Sequence, residues 1–131
     1  WPLANFENNR SFLSVENLSF MMYEMLNNKS LESGIYNFAD DAPLSTNELV
    51  VIINKVLGKK TKFLHIPKFL IHAIAICGDI IGLPLNTERM KKLTENYIVS
   101  NQKIKKALGI ERLPLSPREG ITLTINSFKN N

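Results

Sequence analysis

The chain has a single cysteine among its 131 residues, Cys77. This rules out an intrachain disulfide and any cysteine-rich zinc site. Cys77 lies in an apolar run, so it reads as a buried, inert thiol in a reducing, cytoplasmic setting. Glycine is scarce too. The six glycines never approach G-x-G-x-x-G, Gly78 and Gly82 stand alone, and no Walker-type loop exists. Tyr23, Tyr36 and Tyr97 are followed four residues later by Asn27, Asp40 and Asn101, so none has the lysine that would hold down the pKa of a tyrosine base. His65 and His72 are seven apart with no third ligand at metal spacing, and read as a strand and a helix-face histidine. Asp40 and Asp41 are adjacent, so their carboxylates point apart and suit no general acid/base pair. The sequence therefore holds no complete active site: no catalytic, cofactor-binding or metal-ligating residue is expected in this chain. No charged n-region followed by an apolar h-region marks a signal peptide.

Hydrophobic residues make up 44% and charged residues 21%, values of a folded globular chain rather than a disordered one. The length suits one domain or part of a larger one. Net charge is +4 with a pI near 9.3, mildly basic and compatible with an anionic ligand. The basic sites, Lys59 with Lys60, Lys91 with Lys92, and Lys103 with Lys105 and Lys106, each lie on or beside an expected helix. Such a scatter reads as solvated helix faces, and no nucleic-acid partner is expected.

Residues 35–58 organise the rest. Ile35, Tyr36, Asn37 and Phe38 form a short strand-prone run behind Gly34. Asp40, Asp41, Ala42 and Pro43 turn the chain. Ser45 then offers an N-cap hydroxyl and Glu48 the reciprocal carboxylate of a capping box. Leu49, Ile52, Ile53, Val56 and Leu57 make one helical stripe, stopped by Gly58. A loop delivered to a helix N-terminus suits phosphate; an ordinary unit whose cap only caps has the same pattern.

Around this unit, residues 10–15 alternate as a short strand, and a helix is expected over 16–28 with Leu18, Met21, Met22, Met25 and Leu26 inward. Residues 61–66 read as another strand. Pro67 then opens, at N1, a helix over 67–81 that is the most apolar part of the chain. It is too short to span a bilayer and reads as buried on most sides, so a membrane partner is not expected. Residues 82–86 form a loop. Asn86 caps a short helix to Leu93, residues 97–99 are extended, and Ser100 caps a helix to Leu108 that Gly109 closes. Ser116, Pro117 and Glu119 start a last helix with Ile121, Ile125 and Phe128 as its stripe. The resulting class is α/β, a few short strands with five or six helices, too few strands for a self-sufficient sheet.

Four stretches together resemble the C-terminal portion of extended short-chain dehydrogenases/reductases, the NAD-dependent nucleotide-sugar epimerases and dehydratases. NRSFLSVENL (9–18) is similar to the family's arginine–x–aromatic strand followed by V-[DE]-[ND]-L. Residues 35–57 are similar to "YN-[VLF]-[AG]-D…P-x-S…EL". YIVSNQKIKKALGI (97–110) is similar to "VDNSKIRRELGW", and LSPREGITLTINSF (115–128) to "SLEEGLRRTAAWF". Ser100 stands in place of the usual aspartate and Ile110 in place of the usual tryptophan. The resemblance implies that residues 1–131 are the substrate-binding C-terminal part of a Rossmann-type extended fold, inactive alone. Its NAD-binding domain, with the Gly-rich loop and Tyr-x-x-x-Lys pair, would lie upstream of Trp1. It places Arg10 on the nucleotide diphosphate, Phe12 on the nucleotide pocket, Thr46 at the nucleoside, and Arg89 or Lys92 as a second basic contact. It implies a UDP-type nucleotide-sugar as ligand, NAD as the parent's cofactor and a homodimeric parent enzyme. Two alternatives share the pattern: a non-catalytic ligand- or protein-binding module of the same fold, and a reductase with a non-sugar substrate.

Overall fold

Helix starts in this chain are set by short side chains at the caps, and a computed structural model, describing residues 1–82 and 84–129, bears most of them out. Six helices follow in order: α1 (Val15–Asn27), α2 (Thr46–Val56), α3 (Lys68–Ile81), α4 (Thr87–Thr94), α5 (Gln102–Leu108) and α6 (Pro117–Lys129). At α2, Ser45 Oγ accepts from the Glu48 N–H at 3.1 Å, and the Ser45 N–H donates to Glu48 Oε2 at 2.9 Å. The same box opens α6, where Ser116 N–H donates to Glu119 Oε2 at 2.8 Å. Asn86 caps α4 by accepting from the Arg89 N–H at 2.9 Å. Two starts differ from expectation. Pro67, with ψ 137°, sits outside the helix as the N-cap of α3 rather than at N1. The residue directly before α5 is Asn101, whose amide is drawn into a tertiary contact, while Ser100 Oγ still accepts from the first helical N–H, that of Gln102, at 3.3 Å.

The expected α/β class is corrected to an all-helical one: among the described residues no strand forms. Val15 already belongs to α1, and residues 10–14, 35–38, 61–66 and 97–99 carry no regular structure beyond three isolated bridges, Leu3–His65, Arg10–Leu44 and Arg10–Tyr97. A ladder needs several consecutive residues paired with one partner. Here three of the segments are bridged at a single residue, 35–38 has no bridge, and side chains take up neighbouring backbone groups. The Val99 N–H donates to Ser11 Oγ and the Leu113 N–H to Asp41 Oδ2. Leu83 of the expected 82–86 loop lies outside the described residues.

The chain divides into two units. The first comprises the described residues of Trp1–Asn9 and Ser45–Asn96 and contains α2, α3 and α4. Leu3, Ile71, Ala75 and Met90 form its core, with Trp1, Phe6, Ile66 and Leu85 against it. The second comprises the described residues of Arg10–Leu44 and Tyr97–Asn131 and contains α1, α5 and α6. Met21, Ile104 and Leu113 are its core, flanked by Phe20, Met25, Tyr36, Phe38 and Leu108.

Burial is narrower than the apolar patterns suggest. On α1, Met21 is fully buried whereas Met22 and Leu26 are exposed; on α6, Phe128 is exposed. Helix α3 is not buried on most sides. Only Ile71, Ala75 and Gly78 are buried, and Cys77, expected inside, is exposed. Among the described residues no helix is long and apolar enough to cross a membrane.

The docked stripe of α3 depends on close approach at Gly78, where an added Cβ would stand 2.0 Å from the Leu85 carbonyl oxygen. That oxygen belongs to backbone and cannot swing aside. Gly78→Ala is therefore expected to destabilise the protein by about 1–3 kcal/mol despite alanine's better helix propensity. Urea unfolding monitored by circular dichroism measures this, and an equal or higher midpoint would contradict it.

Candidate functional site

Arg10 and Phe12 lie on the extended segment that leads into α1. The Arg10 N–H donates to the Leu44 carbonyl at 2.9 Å, and the Leu44 N–H donates back to the Arg10 carbonyl at 2.9 Å. On the other edge the Ser11 N–H donates to the Tyr97 carbonyl at 2.8 Å. The Asp40 N–H donates to the Phe12 carbonyl at 2.7 Å. Both side chains are half-buried. The backbone under Arg10 is thus gripped from two sides, which fixes where its guanidinium starts from.

The grip is anchored by a polar cluster in the same unit. Asp40, buried, accepts from the Ser14 N–H at 3.1 Å and from Asn17 Nδ2 at 2.7 Å. Asn17, fully buried, also donates to the Leu115 carbonyl at 2.8 Å and accepts from the Leu115 N–H at 3.0 Å. Asp41 turns the other way. Its carboxylate accepts from the Leu113 N–H at 2.8 Å, from Asn101 Nδ2 at 3.1 Å and from the Lys105 ammonium, and Asn101 Nδ2 also donates to the Ala39 carbonyl at 2.8 Å. The two aspartates point apart, as adjacency requires, and they act as clips. Burial pushes the Asp41 pKa up, but the Leu113 N–H, Lys105 and Asn101 together outweigh it and hold the carboxyl below its ordinary value of 3.8.

Thr46, Arg89 and Lys92 belong to the other unit. Thr46 is buried at the first position of α2. Its N–H donates to Asn8 Oδ1 at 3.0 Å, its hydroxyl donates to the Leu93 carbonyl at 3.2 Å, and it accepts from Asn8 Nδ2 at 2.8 Å. Asn8 thereby ties the start of α2 to the end of α4, where the Leu93 carbonyl also receives its amide at 3.1 Å. Two donors at the N-terminus of α2 are met within the protein, the Thr46 N–H by Asn8 and the Glu48 N–H by Ser45. Arg89 and Lys92 are exposed on α4. The Arg89 guanidinium donates to the Pro84 carbonyl at 2.8 Å, and Lys92 pairs with Glu88 one turn back, holding that carboxyl below its usual range. An open polar depression lined by Glu7, Asn8, Asn9, Asn47 and Asn96 borders the α2 cap. Among the described residues no three of His, Cys, Asp or Glu converge as metal ligands.

Sequence reasoning passed over Asn8, Asn17, Asn101 and Lys105, the side chains that hold these segments. The available signal was an asparagine inside the V-E-N-L and S-N-Q-K motifs, which becomes informative only once its distant partner is known. Compared with known protein families, curated proteins and solved structures, the chain matches none.

Because its folded-state pKa is lowered, Asp41 contributes stability that is fully present above the unfolded value of 3.8 and is lost as pH falls through the folded value. Asp41→Asn is expected to cost about 1–3 kcal/mol at neutral pH, since Lys105 loses its counter-charge in a mostly buried setting. The variant should also unfold with a shallower acid dependence than the wild type below pH 3.8. Thermal unfolding across pH measures both; identical acid profiles would contradict this account.

Proposed function

We propose that this chain is the nucleotide-sugar-binding, C-terminal portion of an NAD-dependent epimerase or dehydratase of the extended short-chain dehydrogenase/reductase type, with a UDP-type sugar as ligand. One observation carries the reading. Residues of the four family-like stretches meet at two adjacent clips: Asp40 of the second binds Asn17 of the first, which holds Leu115 of the fourth, and Asp41 of the second binds Asn101 and Lys105 of the third. Their meeting supports reading the four stretches as parts of one site.

In this reading the segment carrying Arg10 and Phe12 is the ligand-facing product of those clips. A guanidinium presents a planar fork to a diphosphate, and an aromatic two residues on lines the nucleoside side. Thr46 keeps the start of α2 in register with α4 through Asn8 and Leu93, and Arg89 or Lys92 on α4 supplies further positive charge. NAD, which an upstream domain would hold, would accept hydride from the carbon bearing a sugar hydroxyl as that hydroxyl gives up its proton, and would return the hydride after inversion or elimination. No residue of this chain is assigned to the cofactor: its glycines make no phosphate-binding loop. The parent enzyme would be cytoplasmic and homodimeric, and the contribution of this portion is to position the substrate.

Calorimetric titration of UDP into the chain tests the reading. Saturable binding is expected, weakened roughly 10- to 100-fold in Arg10→Ala, the loss of a charge-assisted pair. Arg10→Lys should fall between, since an ammonium cannot form the fork. NAD should give no binding heat. Absence of UDP binding, or equal affinity in Arg10→Ala, would sink the proposal.

A further inference from the structure

Helix α3 has its polarity inverted relative to an ordinary surface helix. Successive residues turn by about 100°. Ile71, Ala75 and Gly78 therefore share one stripe, and this is the buried one. Phe69, Ala73, Ile76 and Ile80 lie diametrically opposite, and Phe69, Ile76 and Ile80 are 75%, 58% and 80% exposed. Leu70, Ile74, Cys77 and Ile81 extend this arc on one flank and are exposed as well. The apolar arc spans about 160° of the helix. The polar residues of α3 are Lys68, His72 and Asp79, and all three engage groups of their own unit. The Lys68 ammonium stands 5.5 Å from the Phe6 ring centroid, the His72 and Phe6 rings pack edge to face with centroids 6.1 Å apart, and Asp79 accepts from the N–H and hydroxyl of Thr87. All three are also exposed, so solvent meets this polar flank and the apolar arc beside it.

The segment that leads into α3 carries charge of one sign, and acids first appear at Asp79 on α3 and Glu88 on α4. Residues 49–78 contain no aspartate or glutamate, but they contain Lys55, Lys59, Lys60, Lys62 and Lys68. Lys59, Lys60 and Lys62 are exposed just ahead of α3, next to exposed Phe63 and Leu64. Lysine is depleted at protein–protein interfaces, whereas lysines beside an exposed apolar helix suit an anionic bilayer surface. Fourteen residues are too short to cross a bilayer and long enough to lie in its headgroup region.

We infer that α3 and the lysine-rich segment before it form a membrane-surface docking site for anionic phospholipid, with the 69/73/76/80 stripe entering the headgroup–acyl boundary and Lys59, Lys60 and Lys62 meeting lipid charge. The expectation against a membrane partner rested on a helix buried on most sides, and the exposed arc removes that ground. The docking site stands whatever ligand Arg10 takes.

Co-sedimentation of the whole chain with vesicles of phosphatidylcholine, with and without about one-third phosphatidylglycerol, provides the test. Partitioning onto the anionic vesicles is expected, lost at high salt and at least about tenfold weaker on phosphatidylcholine alone. The double variant Phe69→Ser, Ile80→Ser changes only exposed positions, so it should retain the wild-type circular dichroism while its partitioning falls at least about tenfold. The triple variant Lys59→Glu, Lys60→Glu, Lys62→Glu should lose more than about tenfold on anionic vesicles only. No partitioning of the wild type onto anionic vesicles would overturn the inference, as would equal partitioning by the Phe69/Ile80 variant. A dimer in sedimentation velocity that Phe69→Ser, Ile80→Ser dissolves, without vesicle binding, would also overturn it and make the face a contact between copies.

Discussion

Two adjacent carboxylates that must point apart are the constraint on which the unit around Arg10 depends. Asp40 faces Ser14 and Asn17; Asp41 faces Lys105, Asn101 and the Leu113 N–H. Extended segments that form no sheet leave backbone donors and acceptors needing partners. Here side-chain carboxylates and amides serve them. Asn17 satisfies both backbone groups of Leu115 at once, as a neighbouring strand residue would. Asn8 does the same work in the other unit, pairing with the Thr46 N–H and the Leu93 carbonyl. An asparagine carries a donor and an acceptor on one short stem, so one residue can stand in for a short stretch of ladder.

How much was legible in the sequence follows from how local each cause is. The starts of α2, α4 and α6 were readable because a cap and its partner lie three residues apart. The strands were misread because alternation describes one segment, while a strand requires a second one in register; residues 35–38 keep Tyr36 and Phe38 turned inward, yet find no ladder. The α3 pattern was ambiguous because apolar residues surround the helix, and only tertiary structure selects the stripe that Gly78 lets approach Leu85. Of the proposed site, Arg10 and Phe12 could be named by resemblance alone. Asn17 and Asn101 could not, because their carbonyl partners lie 98 and 62 residues away in the chain.

The proposed ligand and lipid surfaces draw on different physics. Arg10 relies on a backbone held on both edges, so that a flexible side chain begins from a fixed point and less freedom is lost on binding. The α3 arc relies on area and on the lysines of the segment before it. It needs little geometric definition, because a bilayer adapts to whatever apolar surface meets it.

The order in which the units are written along the chain has a consequence for synthesis. The boundaries fall at 9/10, 44/45 and 96/97, so neither unit is one continuous stretch. By Asn96 every segment of the α2–α3–α4 unit has been made, whereas the other unit then has Asp40 and Asp41 in place but lacks Asn101, Lys105, Leu113 and Leu115. Asp40 can already meet Ser14 and Asn17, but the Asp41 clip stays open until Asn101, Lys105 and Leu113 are made. A nascent chain at that point would hold one unit with all its segments and one unmet carboxylate. The Arg10 segment would then be held on its Leu44 edge and would gain its second edge only with Tyr97.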